Sequence, residues 1–301
     1  MAVTTRAGFS RLIAPGLRKT FFDNYKMFPE EYSVIANVET SSRAYEEELT
    51  GAGLGRFNVK QEGMPTAYDG PIQGNVKRYT HVSFMLGFRV TREMYDDDLY
   101  GVMRKMAKEL AISARHTVEL EFASLLDDAF DGNVHTGADG QGLCDTHPLT
   151  IGGTYANFAA VPTDLGIGAL RSASERMERT LTERGLPDNR GRGDLIYVSP
   201  TYQWVAEEII KSEKKAYTAD NTMNAFSSMN LKHFVGHYGS DDDLWLLLAP
   251  KQMHDIKFFW RTKPEFDNED DFDTKDAKFT GFMRFSYGFT DWRGVDGSSG
   301  A

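Results

Sequence analysis

Cysteine occurs once in the 301 residues, at Cys144, so no internal disulfide can form and folding in a reducing compartment is expected. Long apolar runs are missing too. No stretch approaches the roughly 20 residues that a membrane-spanning helix requires, and the N-terminus has neither the compact apolar run nor the small-residue cleavage site of a signal peptide. Positive charge is in deficit: 34 Lys and Arg against 44 Asp and Glu give a formal net charge of −10. Proteins that grip nucleic acid neutralise phosphates with clustered basic side chains, whereas the bases here are mostly interleaved with acids. The exception is residues 1–22, where Arg6, Arg11, Arg18 and Lys19 stand without an Asp or Glu. They read as a solvated basic arm lying on acidic surface.

Catalytic signatures are equally scarce. The chain has no GxxxxGK[ST] phosphate loop, no HExxH and no GxSxG elbow. The GAGLG at 51–55 lacks the flanking strand and helix of a dinucleotide site and reads as a hinge. The acidic run 267–278 fails as a helix-loop-helix calcium loop, with Phe272 where glycine is needed and Lys278 where a bidentate Glu is needed, and reads as a surface loop. The one cluster of ligand types is His135, Cys144, Asp145 and His147. Its spacing matches no usual structural zinc pattern, so a metal-dependent enzyme built on it is the alternative of another class, with turn and packing roles preferred. No cofactor is expected.

What is present is pattern. With 41% hydrophobic and 12% aromatic residues the chain can bury a sizeable core. Leu99, Met103, Met106, Leu110, Ala114, Val118, Phe122, Leu125 and Ala129 recur at intervals of three or four, which predicts one helix over 92–130, about 55 to 60 Å long. A globule of this chain length is only about 50 Å across, so the helix reads as the beam of a flat, elongated subunit. His116 falls on its surface or boundary. Immediately upstream, VSFMLGFRV alternates as a strand, with Val82, Phe84, Leu86, Phe88 and Val90 on one face.

Residues 51–80 contain six glycines, two prolines and short alternating runs at 56–62 and 75–80. They predict a long hairpin with a loose tip. A lone hairpin is marginal in water, which is resolved if it lies on a neighbouring subunit. Downstream, the pattern predicts a helix over 163–184 and a buried strand over 195–198. A helix follows, capped by Ser199 with Pro200 at its first position and Trp204, Val205 and Ile209 turned inward. Strands are expected at 231–238, 244–249, 256–261 and 279–290, and the tail GVDGSSGA reads as disordered.

The order of basic arm, glycine-rich hairpin, strand, long helix and α/β segment resembles the major capsid proteins of tailed bacteriophages with the Hong Kong 97-type fold, an α+β architecture. The more specific resemblance lies in DGQGLCDTHP (139–148) and GGTYANF (152–158), similar to a segment of the Mu-like phage major head subunits. Gly140, Leu143, His147, Pro148 and Asn157 match, while Cys144 replaces a usual aromatic residue. FRVTREMYDDDLYG also looks like that family's approach to its long helix.

The resemblance implies an N-terminal arm at 1–38, an extended loop with anchoring strands at 39–90, a peripheral domain at 91–138 and 251–301, and an axial domain at 139–250. It implies a shell of hexamers and pentamers enclosing double-stranded DNA without sequence-specific binding. Phe57, Val59, Met64, Tyr68, Ile72, Val76 and Tyr79 are the expected intersubunit contacts of the hairpin. A separate scaffolding protein, a portal and a decoration protein are the expected partners, with assembly in the host cytoplasm. An encapsulin-like nanocompartment shell is the alternative within the same fold.

Overall fold

The computed structural model describes residues 10–91, 93–94, 100–150, 152–188, 190, 192–214, 223–271, 274 and 276–301. Arg6, Leu99 and the acidic residues 96–98 lie outside the described residues. The long helix, α3, spans Tyr100–Asp127 and ends in a 3-10 turn at Asp128–Phe130. At about 1.5 Å per residue these 28 residues span about 42 Å; most of the start of the expected helix, 92 and 95–99, lies outside the described residues. Met103, Leu110, Val118, Phe122, Leu125 and Ala129 are buried as that pattern requires, and Ala107, Ala111 and Leu126 widen the buried stripe. His116 is exposed and packs edge-on against Phe28.

Ahead of α3 along the chain lie α1 (Ser10–Tyr25) and the single turn α2 (Tyr32–Ile35). The basic segment is therefore not a solvated tail. Leu17, Phe21 and Tyr25 of α1 are buried with Met103, Ala107, Leu110 and Ala111 of α3, while Arg18 and Lys19 point outward. The i, i+4 spacing of the three apolar residues, hidden by the surrounding basic charge, is what docks the arm.

A buried ion pair fixes the chain between α1 and α2 to α3. The guanidinium of Arg115 lies 4.0 Å from the ring centre of Tyr25 and 3.0 Å from the Glu30 carboxylate. Glu119 accepts the backbone N–H groups of Glu31 (3.2 Å) and Tyr32 (2.9 Å), and burial pushes its carboxyl up to about 7.

The first sheet runs in the order β1 (Asn37–Thr40), β10 (Ile256–Asp270), β11 (Ala277–Phe289), β4 (Val82–Val90). β1 is parallel to β10, and the rest is antiparallel. Half of the expected acidic loop belongs to this ribbon, since 267–270 complete β10 opposite 277–280. The register shifts between Trp260 and Glu265, where Pro264, which has no N–H to give a ladder, is accommodated. Phe258, Trp260, Met283, Phe285 and Phe289 pack on Phe122, Leu125 and Leu126.

The second sheet runs β12 (Val295–Ser298), β9 (Trp245–Leu248), β7 (Leu195–Val198), β8 (Lys232–Val235). Its central strands are buried on both faces, which explains why WLLL shows no alternation. One face joins the core of α3. The other is covered by α4 (Ile167–Glu178) and α5 (Gln203–Lys211), through Leu170, Ala173, Met177, Ala206 and Ile209.

Four expectations fail here. The tail is not disordered: β12 pairs with β9 and so joins the second sheet. Its Asp296 accepts hydrogen bonds from Arg176 Nη2 at 2.5 Å and Nε at 2.9 Å. Gly297 is required there, because a Cβ would sit 2.5 Å from the Trp245 carbonyl oxygen. The predicted helix 163–184 is only Ile167–Glu178, since residues 180–187 close a small loop through Thr182 and Leu186. Ser199 makes no side-chain cap; its hydroxyl donates to the Asp242 carbonyl, and Pro200 opens a 3-10 turn ahead of α5. Trp204 faces outward, 68% exposed, because that turn rotates α5 so that Ala206 and Ile209 take the inner face.

Leu125→Ala should lower unfolding free energy by about 2 to 5 kcal/mol in urea titration, and Leu110→Pro, which breaks α3 at its centre, should abolish cooperative unfolding. Because the Glu119 carboxyl is raised from 4.5 to about 7 on folding, its protonation stabilises the fold fully below pH 4.5. That contribution is lost as pH rises through 7. Glu119→Gln should flatten this part of the pH–stability curve.

Candidate intersubunit surfaces

β2 (Tyr45–Ala52) and β3 (Ile72–Thr80) form the hairpin, with Tyr45 opposite Thr80 and Leu49 opposite Val76. The run 56–62, expected as its first strand, is not a strand; YEEELTGA takes that place. Its three consecutive glutamates each have a basic partner: Arg43 for Glu46, Arg78 for Glu47 at 2.6 Å and Lys257 for Glu48. The root of the hairpin is fixed. Tyr79 is only 2% exposed, packs on Phe259 at 5.1 Å and bonds Thr290 at 2.6 Å. Thr290 in turn donates to Glu48, so the Tyr79 hydroxyl is the donor to Thr290. Tyr79 therefore anchors the hairpin to its own subunit and is corrected from the expected intersubunit set. His81, at the corner into β4, bridges Ser41 (3.0 Å) and Ser286 (2.9 Å), and burial lowers its pKa.

Beyond the root the picture reverses. Phe57, Val59 and Tyr68 in the loop between the strands are 103%, 96% and 94% exposed, and Met64, Ile72 and Val76 are also exposed. Large apolar side chains so fully in water on one segment are more than an isolated subunit's surface normally carries. The loop is tied down at its neck alone among its described contacts. Asp69 accepts the Gly55 N–H at 2.8 Å and Arg184 Nη1 at 2.5 Å, while Arg184 Nη2 donates to the Gly70 carbonyl at 2.6 Å. The Gly55 N–H and then Arg184 hold the Asp69 carboxyl below its ordinary value. Sequence reading missed Arg184 and Asp69, since an Arg before the Gly185 turn carries no pattern pointing 115 residues back.

The motif residues have structural roles. Gly140 turns the chain at φ +82°, and Leu143 is buried. Asn157 is buried and joins three segments: its amide donates to the carbonyls of Leu143 (2.8 Å) and Val295 (3.0 Å), and its oxygen accepts the Asp145 N–H (3.0 Å). His147 is buried, bonds Asp139 through Nδ1 at 2.6 Å and stacks on Trp292 with ring centres 4.3 Å apart. Pro148 ends β5 (Thr146–Pro148), which pairs with β6 (Thr154–Ala156).

The four zinc candidates are not brought together. His135 contacts Ser124, Asp128 and Tyr287, His147 faces Asp139, and the Cys144 thiol is buried with its pKa pushed up by desolvation. Among the described residues no group of three or more His, Cys, Asp or Glu could hold a metal ion. No described helix is long and apolar enough to cross a membrane.

The fold is thus a two-sheet body carrying an apolar arm that no described residue of the subunit covers. The sequence pattern of a family described as phage capsid protein matches residues 76–295. The chain belongs to the phage capsid protein family. It is a major capsid protein, a subunit of the phage head shell. Its fold is also that of solved particles. The capsid of cyanophage P-SCSP1u is 11% identical, with 88% of this chain and 86% of that chain covered, at a TM-score of 0.57. Mycobacterium phage Che8 is 13% identical, with 91% and 93% covered, at 0.52. A virus-like particle from Pyrococcus furiosus is 8% identical, with 94% and 97% covered, at 0.50. No curated protein matches the sequence. The Hong Kong 97-like α+β fold expected from the order of elements is thus the one adopted.

Arg184→Ala should release the neck of the capsid protein's loop. Amide hydrogen exchange across 53–71 should quicken several-fold, with the thermal unfolding midpoint of the body unchanged.

Proposed function

We propose that this capsid protein assembles into hexamers and pentamers, and that loop 53–71 of each subunit lies over its neighbour. The observation that carries this reading is the full exposure of Phe57, Val59 and Tyr68 beside a hairpin root locked by Tyr79. In this reading α3 and the first sheet are the peripheral domain. The second sheet with α4 and α5 is the axial domain around the symmetry axes. The chain passes from β11 in the first sheet to β12 in the second, which ties the two covalently and through the ladder of β12 with β9.

Each neighbour covered would remove apolar surface from water at about 25 cal/mol per Å². Association costs consume much of that for a single contact, so stability comes from repetition around a closed shell. The net charge of −10 suits a container whose double-stranded DNA must slide rather than stick. A separate scaffolding protein, a portal and a decoration protein would complete the head, which would assemble in the host cytoplasm and persist in the virion. The protein would have a structural and not a catalytic role, as membership of a capsid family implies.

A nanocompartment shell is the second reading, favoured by the fold shared with the Pyrococcus furiosus particle. Particle contents separate the two, with nucleic acid supporting the head and protein cargo the compartment. The triple variant Phe57→Ala, Val59→Ala, Tyr68→Ala should keep the circular dichroism and unfolding midpoint of the subunit. Its yield of sedimentable particles should fall at least tenfold; an unchanged yield would remove the loop from the interface.

A further inference from the structure

Residues 56–62, RFNVKQE, alternate as a strand does, yet they have no strand partner within the subunit and their Phe57 and Val59 are wholly in water. Elsewhere in the same molecule a strand lacks a neighbour. β4 ends the first sheet: β11 pairs with it from Ala277 opposite Val90 to Phe285 opposite Val82, and no described strand occupies its other side. That edge is nine residues long and apolar, with Val82, Met85 and Leu86 all exposed. Proteins normally shield such an edge with charge, proline or a bulge. β4 has only Arg89, which is held by Asp276 at 3.2 Å.

Beside the edge lies a trench between β4 and α3. Leu86 and Phe84 line one wall, and Ser113, Ala114 and Thr117 of α3 line the other. Gly281 stands opposite Leu86 in the ladder, so no side chain fills the floor. The small residues on α3 are thus spaced to leave room for a side chain that the subunit does not itself supply. Glu265 opens onto the trench, and Asp267 and Glu269 are exposed farther along β10. In the ladder Asp267 and Glu269 fall on the same face as Met85 and Arg89, the face that Arg56 and Lys60 share when Phe57 and Val59 turn toward α3.

We propose that on assembly residues 56–62 add as a β-strand to the free edge of β4 in a second copy of this chain, with Phe57 and Val59 lodged in the trench beside α3. The inference rests on the shell reading above and specifies how its loop is held. Seven residues at about 3.4 Å each span some 24 Å, which nine-residue β4 can pair throughout. Main-chain hydrogen bonds then supply affinity whatever the side chains, and alternate side chains supply the register. The segment's own β4 is not the partner, because the Asp69–Arg184 neck holds Gly55 at the far end of the hairpin from Val82. The face of the added strand bearing Arg56, Asn58 and Lys60 would lie level with Ser83 and Met85, in solvent.

Strand addition has a signature that side-chain docking lacks, since only alternate N–H groups point at the partner. Asn58→Pro and Val59→Pro remove adjacent N–H groups from a segment that folding does not use. One of the two should lower particle yield at least tenfold and the other less than threefold, with both subunits keeping wild-type unfolding midpoints. In the unaltered protein, amide exchange at 57–61 and along β4 should slow at least a hundredfold between free subunits and assembled particles. Equal effects of the two prolines, or particles in which 57–61 exchange as freely as in the subunit, would overturn the strand while leaving the shell reading intact. Absence of particles from the unaltered chain would overturn both.

Discussion

The burial of α3 along both sides is the constraint on which the rest of the molecule depends. Its first half is clasped between α1 and the outer end of the β10–β11 ribbon through Leu17, Phe21, Phe266 and Phe279. Its second half is packed against the inner end of the ribbon and one face of the second sheet through Phe258, Phe285, Leu246 and Leu248. A helix of this length gains little from intrinsic propensity and must be held by tertiary contacts. Here those contacts come from four separated parts of the chain, so the helix is the member that orients both sheets. The Arg115–Glu119 pair, buried at its middle, secures the α1–α2 connection to the same beam.

Rigidity then has a direction. The hairpin leaves the body at a root where Tyr79, Glu48, Lys257, His81 and Thr290 are all engaged, and it ends in a loop where large apolar groups meet only water. A flexible root would let the arm collapse onto its own subunit and hide those groups. A stiff root keeps them presented outward, at the cost of leaving apolar surface exposed until a neighbour arrives. The acidic surface limits nonspecific association of such subunits by mutual repulsion, which favours contacts that match in shape.

Much of the fold was readable from the chain because its two main signals are periodic. The spacing of Met103 to Ala129 and the alternation of Val82 to Val90 both follow from one buried face per element. Elements without that asymmetry escaped. GVDGSSGA looks disordered by composition, yet it forms β12. Asp296 finds Arg176, Ser298 bonds the Thr163 N–H, and Gly297 fits only because it lacks a side chain. The three adjacent glutamates of YEEELTGA give it no apolar alternation to read, although Glu47 and Glu48 stand opposite Arg78 and Lys77 in the ladder. Trp204 was placed inside on hydrophobicity alone, and the 3-10 turn at Pro200–Tyr202 decided otherwise. At the candidate surface, six of the seven hairpin contacts were placed in water, and Tyr79 was lost to the root. The long-range Asp69–Arg184 tie left no trace that spacing could show.

The central claim is that this chain is a tile whose uncovered arm is completed by copies of itself. Electron cryomicroscopy of the particles formed by the expressed protein, with its scaffold where one is required, tests this most directly. The account predicts closed icosahedral shells in which α3 keeps its packing on β10 and β11 while density for 53–71 lies on the adjacent subunit. Only compact monomers under every assembly condition, or shells in which 53–71 folds back on its own subunit, would contradict it.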